Sequence, residues 1–238
     1  MTLIFAHRGV TDYAPANTLT AFADALSLGI DGIETDVQQT QDGQLVIFHD
    51  ARLERHTNGY GPVSAHTLAY LQSLVIRNRA QRGRVMTVDE LLAFLQQHDF
   101  VGILNLELKT HQKIMPQLEA RLAAKLLARS WSFTVVISSF SSKRLQRFHK
   151  LAPQIDTALL FRFTSWQARW LSRRGIITAW HPKTWWWQRH QQPTKAPVRV
   201  WTVNDRSTLT ACFEQQVNAV ITDRARLAKQ LRQQQARH

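Results

Sequence analysis

Short apolar runs alternate with amphipathic stretches along most of the chain. Leu3 to Ala6 reads as a strand, and Asn17 to Leu28 sets Leu19, Phe22, Ala23 and Leu26 on one helical face. Gly32 to Val37 predicts a second strand, and the turn signal Asp42-Gly43 introduces a short β arm at Leu45 to Phe48. From about Asp50 to Val85 no period holds, and a helix follows at Val88 to Gln97. Downstream the pattern predicts strands at Val101 to Leu108, Phe133 to Ser138, Asp156 to Phe161, Ile176 to Ala179, Val198 to Val203 and Ala219 to Thr222. The intervening helices are Lys113 to Arg129, Ser141 to Leu151, Ser165 to Arg173 and Arg206 to Gln215, with Arg224 to Gln234 closing the chain. With the β arm set aside, eight strands mostly separated by helices predict an α/β fold, a (β/α)8 barrel rather than an open sheet. The stretch after the second strand and its arm is too long for an ordinary strand-to-helix loop and reads as a small insertion at the functional end.

Composition narrows the class. The chain has 238 residues, 44% hydrophobic and 20% charged, enough for one sizeable globular domain and unlike a disordered or fibrous chain. No apolar run reaches membrane-spanning length. The N-terminal MTLIFAHRGV lacks a basic start and a long apolar core, so no secretory signal is expected. The lone Cys212 has no internal disulfide partner and reads as a small buried hydrophobe; a reducing, cytoplasmic setting is the simplest home. A formal charge of +13 either serves solubility or attracts anionic lipid, phosphate-bearing substrates or other polyanions.

In a barrel, chemistry belongs at the carboxyl ends of the strands. His7-Arg8 follows the first strand, Glu34-Thr35-Asp36 closes the second, His49-Asp50 ends the arm, and Glu107-Leu108-Lys109 closes the third. Residues two apart on a strand share a face, so Glu34 pairs with Asp36 and Glu107 with Lys109. Three converging carboxylates repel unless a hard cation neutralises them, and all-oxygen ligation suits one divalent cation, Mg2+ or Ca2+. A single acid of this kind would more simply pair with an arginine. His7 and His49 are two imidazoles able to act as general acid and base, while Arg8 and Lys109 suit a phosphoryl oxygen. Asp50 reads as a loop anchor or an imidazole partner. The parts fit phosphodiester cleavage.

The runs AHRGVTDYAPANT (6–18), GIETDVQQTQDGQLVIFHDARLERHTNGYG (32–61), NLELK (105–109) and VWTVND (200–205) resemble the glycerophosphodiester phosphodiesterases, down to Val220-Ile221-Thr222-Asp223. The combination of HRG, ExD and HD is specific, although each piece alone is weak. The resemblance implies a TIM barrel occupying 1–238 as a single domain, with an inserted subdomain at about 50–87. It further implies a divalent metal held by Glu34, Asp36 and Glu107, acid–base catalysis by His7 and His49, and phosphate contacts from Arg8 and Lys109. The product would be sn-glycerol 3-phosphate plus an alcohol, by way of a cyclic phosphate or by direct attack of water. The family usually reads PENT where this chain has Pro15-Ala16-Asn17-Thr18, so a carboxylate is missing at Ala16 and the site reads as modified but competent.

Other features stand outside these motifs. The stretch Trp180 to Trp187 reads as a loop after strand six whose Trp185, Trp186 and Trp187, with Lys183, Arg189 and His190, either form a lip for a head group, touch an anionic membrane or pack as local core. His181 is assigned at most to the pocket lining, and Arg169, Arg173 and Arg174 to a solvated face. Thr202 and Asn204 fall on the active face; Trp201 either packs against a helix or forms the pocket wall as a substrate-binding residue. The leading function is metal-dependent hydrolysis of a small glycerophosphodiester, or of an anionic or polymeric glycerophosphate, without specific nucleic-acid binding. The alternatives are a phosphodiester lyase of the sphingomyelinase D type, against which the HD and ELK elements argue, and a non-enzymatic polyanion-binding barrel, which leaves the strand-end carboxylates unexplained.

Overall fold

The computed structural model describes residues 1–78, 80–110, 117–190 and 195–236. The first unit runs from β1 (Leu3–His7) through helix α1 (Leu19–Leu28) to β2 (Gly32–Gln39). Thr18 caps α1 by accepting from the Ala21 amide, and Gly29 ends it in the left-handed conformation. The arm β3 (Leu45–Ile47) folds back antiparallel on β2.

Between Asp50 and the next barrel helix lie a 3-10 turn at Val63–Ala65, a short α2 (Leu68–Ser73) and the small strands β4 (Ile76–Arg77), β5 (Arg82–Gly83) and β6 (Met86–Thr87). This segment has a core of its own, in which Leu53, Val63, Leu71 and Val85 pack under Val46 and Phe48. β6 pairs with β3, which ties the segment to the barrel strand that carries Glu34 and Asp36.

The barrel then continues with α3 (Val88–Gln97), β7 (Ile103–Leu108), α4 (Leu118–Leu127), β8 (Thr134–Ser139), α5 (Ser142–Leu151) and β9 (Asp156–Phe161). The remaining elements are α6 (Trp166–Arg173), β10 (Ala179–Pro182), α7 (Thr184–His190), β11 (Arg199–Trp201), α8 (Arg206–Glu214), β12 (Ala219–Thr222) and α9 (Ala225–Gln235). Thr87 and Glu90 form a reciprocal capping box at the start of α3.

Eight parallel strands run in the order β10-β9-β8-β7-β2-β1-β12-β11, and parallel bridges Trp180–Val198 and Lys183–Trp201 join the two ends into a nearly closed TIM barrel. Period-two alternation sorts the side chains. Phe5, Ala219 and Ile221 fill the interior, whereas Ala6, Ile33 and Leu104 face the helices. Gly32 is required by this packing, because a Cβ there would sit 2.5 Å from the Phe5 ring and 2.9 Å from the Ile103 carbonyl.

Two expectations need correction. Strand six lies at Ala179–Pro182, not Ile176 to Ala179. The amides of Gly175 and Ile176 turn back to Ser172 and Leu171, so these residues finish α6 and only then does the chain pair with β9. The tryptophan run is a helix rather than a loop: α7 follows β10 directly, and Trp186 and Trp187 are buried. Trp186 meets Phe161 edge to face at 4.9 Å, and Trp187 joins Val200 and Leu209 in a second core. The expected start at Lys113 of the helix that became α4 lies outside the described residues. Cys212 is buried as expected, and burial pushes its thiol up to about 12.

Candidate active site

The strand ends bring His7, Arg8, Glu34, Asp36, His49, Glu107 and Lys109 to one mouth of the barrel. Neighbouring β2 and β7 set Asp36 level with Glu107. One carboxylate oxygen from each of Glu34, Asp36 and Glu107 lies within 4.8 Å of the others, and all three residues are buried. Lys109 Nζ stands 3.0 Å from Glu107 and 3.2 Å from Asp36, and Arg8 Nε stands 3.3 Å from Asp36. The cations thus gather on Asp36, and its acidity records this. Burial would raise the Asp36 carboxyl, but Lys109, Arg8 and the Asn17 amide outweigh burial and hold it well below its ordinary range. At Glu34 the balance reverses: burial first, then repulsion from Asp36 and Glu107, outweighs Arg8 and Lys109 and raises it well above the usual carboxylate value. Burial also pushes Glu107 up to about 7 despite Lys109.

Local backbone chemistry sets these positions. Arg8 takes a left-handed conformation (φ 60°), and Gly9 follows at φ 87°, where a Cβ would lie 2.7 Å from Ala21. The turn of Pro15 to Thr18 is bonded back through the Asn17 amide to the Arg8 carbonyl. From it the Asn17 side chain donates to Asp36 (2.9 Å) and accepts from Thr35 (2.7 Å). Gln38 donates to the carbonyls of Phe48 and Asp50 and so clamps the arm that presents His49.

Each imidazole rests on a carboxylate. His7 Nδ1 is 2.5 Å from Asp223, with its Nε2 turned toward Glu34 at 3.7 Å. Asp223 in turn accepts from Asn204 at 2.6 Å. Burial would raise Asp223, but its bond to His7 leads the contacts that bring it below the ordinary value. His49 Nδ1 is 2.5 Å from Asp50, whose other oxygen faces His56 at 3.3 Å. Burial, opposed by Asp36 and aided by Lys109 and Arg8, lowers His49 to about 4. With a carboxylate accepting at Nδ1, the proton sits on that nitrogen and Nε2 is left for exchange.

Trp201 is half-buried at the mouth. It packs toward the barrel interior, not against a helix, so that part of the expectation is corrected. Its indole donates to the His181 carbonyl at 2.7 Å, and Lys183 Nζ lies 4.6 Å from its ring centre. His181 itself is fully buried beneath the mouth beside Arg199. On the opposite side a cleft of about 230 Å³ opens between the Ala16 turn and the inserted segment, lined among others by Arg8, Ala16, His49, His56 and Arg77. The missing carboxylate at Ala16 therefore leaves open space bordered by Arg8 and Arg77.

Three partners escaped the sequence reading: Asp223 under His7, Asn17 on Asp36, and His56 on Asp50. All three stand inside the motif runs, Asp223 in Thr222-Asp223 at a strand end, Asn17 in Pro15-Ala16-Asn17-Thr18 and His56 in the run 32–61, but nothing local says what they touch.

A strand-end carboxylate cluster stands beside two carboxylate-backed histidines at the mouth of a TIM barrel, and the sequence profile of the Glycerophosphoryl diester phosphodiesterase family matches residues 7–227. A glycerophosphodiester phosphodiesterase of Caldanaerobacter subterraneus is 34% identical over 184 residues, 76% of this chain and 70% of that protein. An Oleispira antarctica phosphodiesterase, solved with the product sn-glycerol-3-phosphate, superposes with a TM-score of 0.84 at 26% identity, covering 97% of this chain and 96% of that one. A Silicibacter pomeroyi structure at 22% identity and TM-score 0.83 shares the fold. The chain belongs to the glycerophosphoryl diester phosphodiesterase family. It is an enzyme of that family, a phosphoric diester hydrolase. Among the described residues no helix is long and apolar enough to cross a membrane.

Proposed function

We propose that the protein hydrolyses a small glycerophosphodiester to sn-glycerol 3-phosphate and an alcohol, with one divalent cation and with His7 and His49 as acid and base. The observation that carries this reading is the buried trio Glu34, Asp36 and Glu107. Its three oxygens lie within 4.8 Å of one another, and Glu34 Oε2 is buried without a hydrogen bond. Three hard oxygen donors and an unsatisfied carboxylate fit Mg2+ or Ca2+. When bound, the cation would polarise a phosphoryl oxygen and offset charge on the phosphate.

The chain's own groups supply the rest. With all three carboxylates ionised, Arg8 and Lys109 leave the cluster one negative charge, which a bound divalent ion would reverse in favour of an anionic ester. Arg8 and Lys109 face the phosphate, Arg8 as a donor fork and Lys109 as a point charge. His49, neutral at pH 7 because burial lowers it to about 4, takes the proton from the attacking oxygen, whether water or the neighbouring glycerol hydroxyl. His7, oriented by Asp223, returns a proton to the departing alkoxide. Trp201 and Lys183 border the substrate on the far wall. The unit is read as one domain over 1–238, with the insertion 50–87 delivering His56 and Arg77 to the cleft. A cytoplasmic location rests on the single buried Cys212.

The direct test is release of sn-glycerol 3-phosphate from glycerophosphocholine and glycerophosphoglycerol after EDTA treatment, then with Mg2+ or Ca2+ added. Turnover is expected only with metal; EDTA-resistant turnover would exclude the cation. Glu34 and Glu107 must lose protons to ligate, and both are raised. Apparent metal affinity should therefore rise with pH, through about pH 7 on account of Glu107, by about tenfold per pH unit for each proton released. A pH-independent affinity would remove these carboxylates from the ligand set.

Ala16→Glu tests the departure from PENT. A carboxylate placed in the cleft beside Arg8 is expected to change kcat/KM by no more than about tenfold. A rise of several hundredfold would mean that the native site is crippled.

A further inference from the structure

Residues 157–204 hold seven of the chain's eight tryptophans and eight Lys or Arg, with no Asp or Glu. The structure divides this segment. Trp180, Trp186 and Trp187 are buried, but Phe163 and Trp166 stand 73% and 64% exposed where β9 leads into α6. Trp170, one turn further along α6, is 39% exposed, and Phe163 reaches Trp185 on α7 with ring centres 5.5 Å apart.

Arginines interleave with these rings. Arg169, Arg173 and Arg174 are exposed with Trp166 and Trp170, while Ala168 and Leu171 bury the opposite side of α6. Arg174 lies 4.4 Å over Trp170 and Arg189 lies 5.7 Å over Trp185, and among the described residues neither has a carboxylate partner. The patch begins at the barrel mouth, because Arg162 sits over Phe140 and Trp201 at 5.3 and 5.8 Å.

We infer that this face of α6, with the preceding loop and Trp185, docks the enzyme on an anionic phospholipid bilayer. Charge complementarity selects the partner's sign, since 48 consecutive residues lack a carboxylate. The rings select a bilayer over a soluble polyanion. Amphipathic aromatics at this exposure gain from the head-group boundary, whereas a fully hydrated polymer needs only charge. Docked this way, the catalytic mouth opens beside the lipid surface.

The test is co-sedimentation of the full-length protein with phosphatidylcholine vesicles and with vesicles enriched in phosphatidylglycerol, alongside tryptophan emission. Binding is expected only to the anionic vesicles, with a blue shift. Phe163→Ser combined with Trp166→Ser should remove the shift and weaken binding at least tenfold, while turnover of soluble glycerophosphocholine stays unchanged. Arg169→Ala with Arg173→Ala should weaken binding about fivefold per arginine, more than Arg55→Ala with Arg82→Ala, which removes the same charge elsewhere. Three results would overturn the inference. One is no binding to anionic vesicles at low salt; the second is vesicle binding indifferent to the aromatic substitutions; the third is equal weakening by the two arginine pairs. Vesicle binding is scored without turnover, so a failed hydrolysis assay leaves its outcome readable.

Discussion

His49→Ala is expected to lower kcat for glycerophosphodiesters by about 100- to 10,000-fold, the usual range for removing a positioned acid or base, with KM little changed. His7→Ala should cost as much on the same substrates. The two separate when the departing alcohol is replaced by nitrophenol, which leaves without protonation. If His7 is the acid, its variant recovers most of the lost rate on the nitrophenyl ester, whereas His49→Ala stays defective because the attacking oxygen still needs a base. Recovery by His49→Ala instead would reverse the roles, and equal, unrescued losses would make both imidazoles positioning groups. Asp223→Asn and Asp50→Asn extend the test. Each leaves its ring bonded but removes the carboxylate 2.5 Å from Nδ1, so each should reproduce part of its own histidine's defect.

The carboxylate trio supplies the second large effect, and its two halves move stability in opposite directions. Asp36→Asn and Glu34→Gln should both abolish metal-supported turnover, by about 1,000-fold or more as a working scale for disrupting charge stabilisation at the reacting group. Asp36 is ionised in the fold, braced by Lys109, Arg8 and Asn17, so its replacement strands Arg8 and leaves Lys109 with Glu107 alone, and should cost about 3–5 kcal/mol. Glu34 is the reverse case. Its folded-state value is raised, so once pH exceeds the unfolded carboxylate value the unfolded chain gains by ionising there and the fold does not, and the penalty grows until the folded group itself ionises. At neutral pH without metal, Glu34→Gln should therefore stabilise the fold, on the order of 1–2 kcal/mol. Urea unfolding in EDTA checks both signs. A Glu34→Gln protein less stable than the parent would mean that Glu34 is held by contacts absent from this geometry. The gain should vanish below the ordinary carboxylate value, where Glu34 is protonated in the folded and the unfolded chain alike.

These two experiments rest on groups that the linear pattern exposes unevenly. Glu34, Asp36, Glu107 and Lys109 were legible because a strand's period of two obliges alternate residues to share a face, and the run of strands and helices obliges those faces to meet. His7 and His49 were legible from their position beside such strand ends. The acidity of each carboxylate was not. Glu34 and Asp36 are two residues apart and both buried, yet one is raised and the other lowered, because Arg8, Lys109 and Asn17 all reach Asp36. The tryptophan run misled for a related reason. Three successive rings have no period of their own, and only Phe161, Val200 and Leu209 on other elements make a helix that buries two of them.

By itself, then, the order of residues determined the barrel, the strand ends that gather the candidate site and the family, since all three follow from local periodicity and short contiguous motifs. Tertiary structure alone decided which partners complete the site: Asp223 arrives under His7 from 216 positions away, and Asn17 reaches Asp36 from 19. It also decided which aromatics face solvent. Distances of that kind are set by ring closure of the barrel and by competition for buried space, and neither is written in any window of the chain.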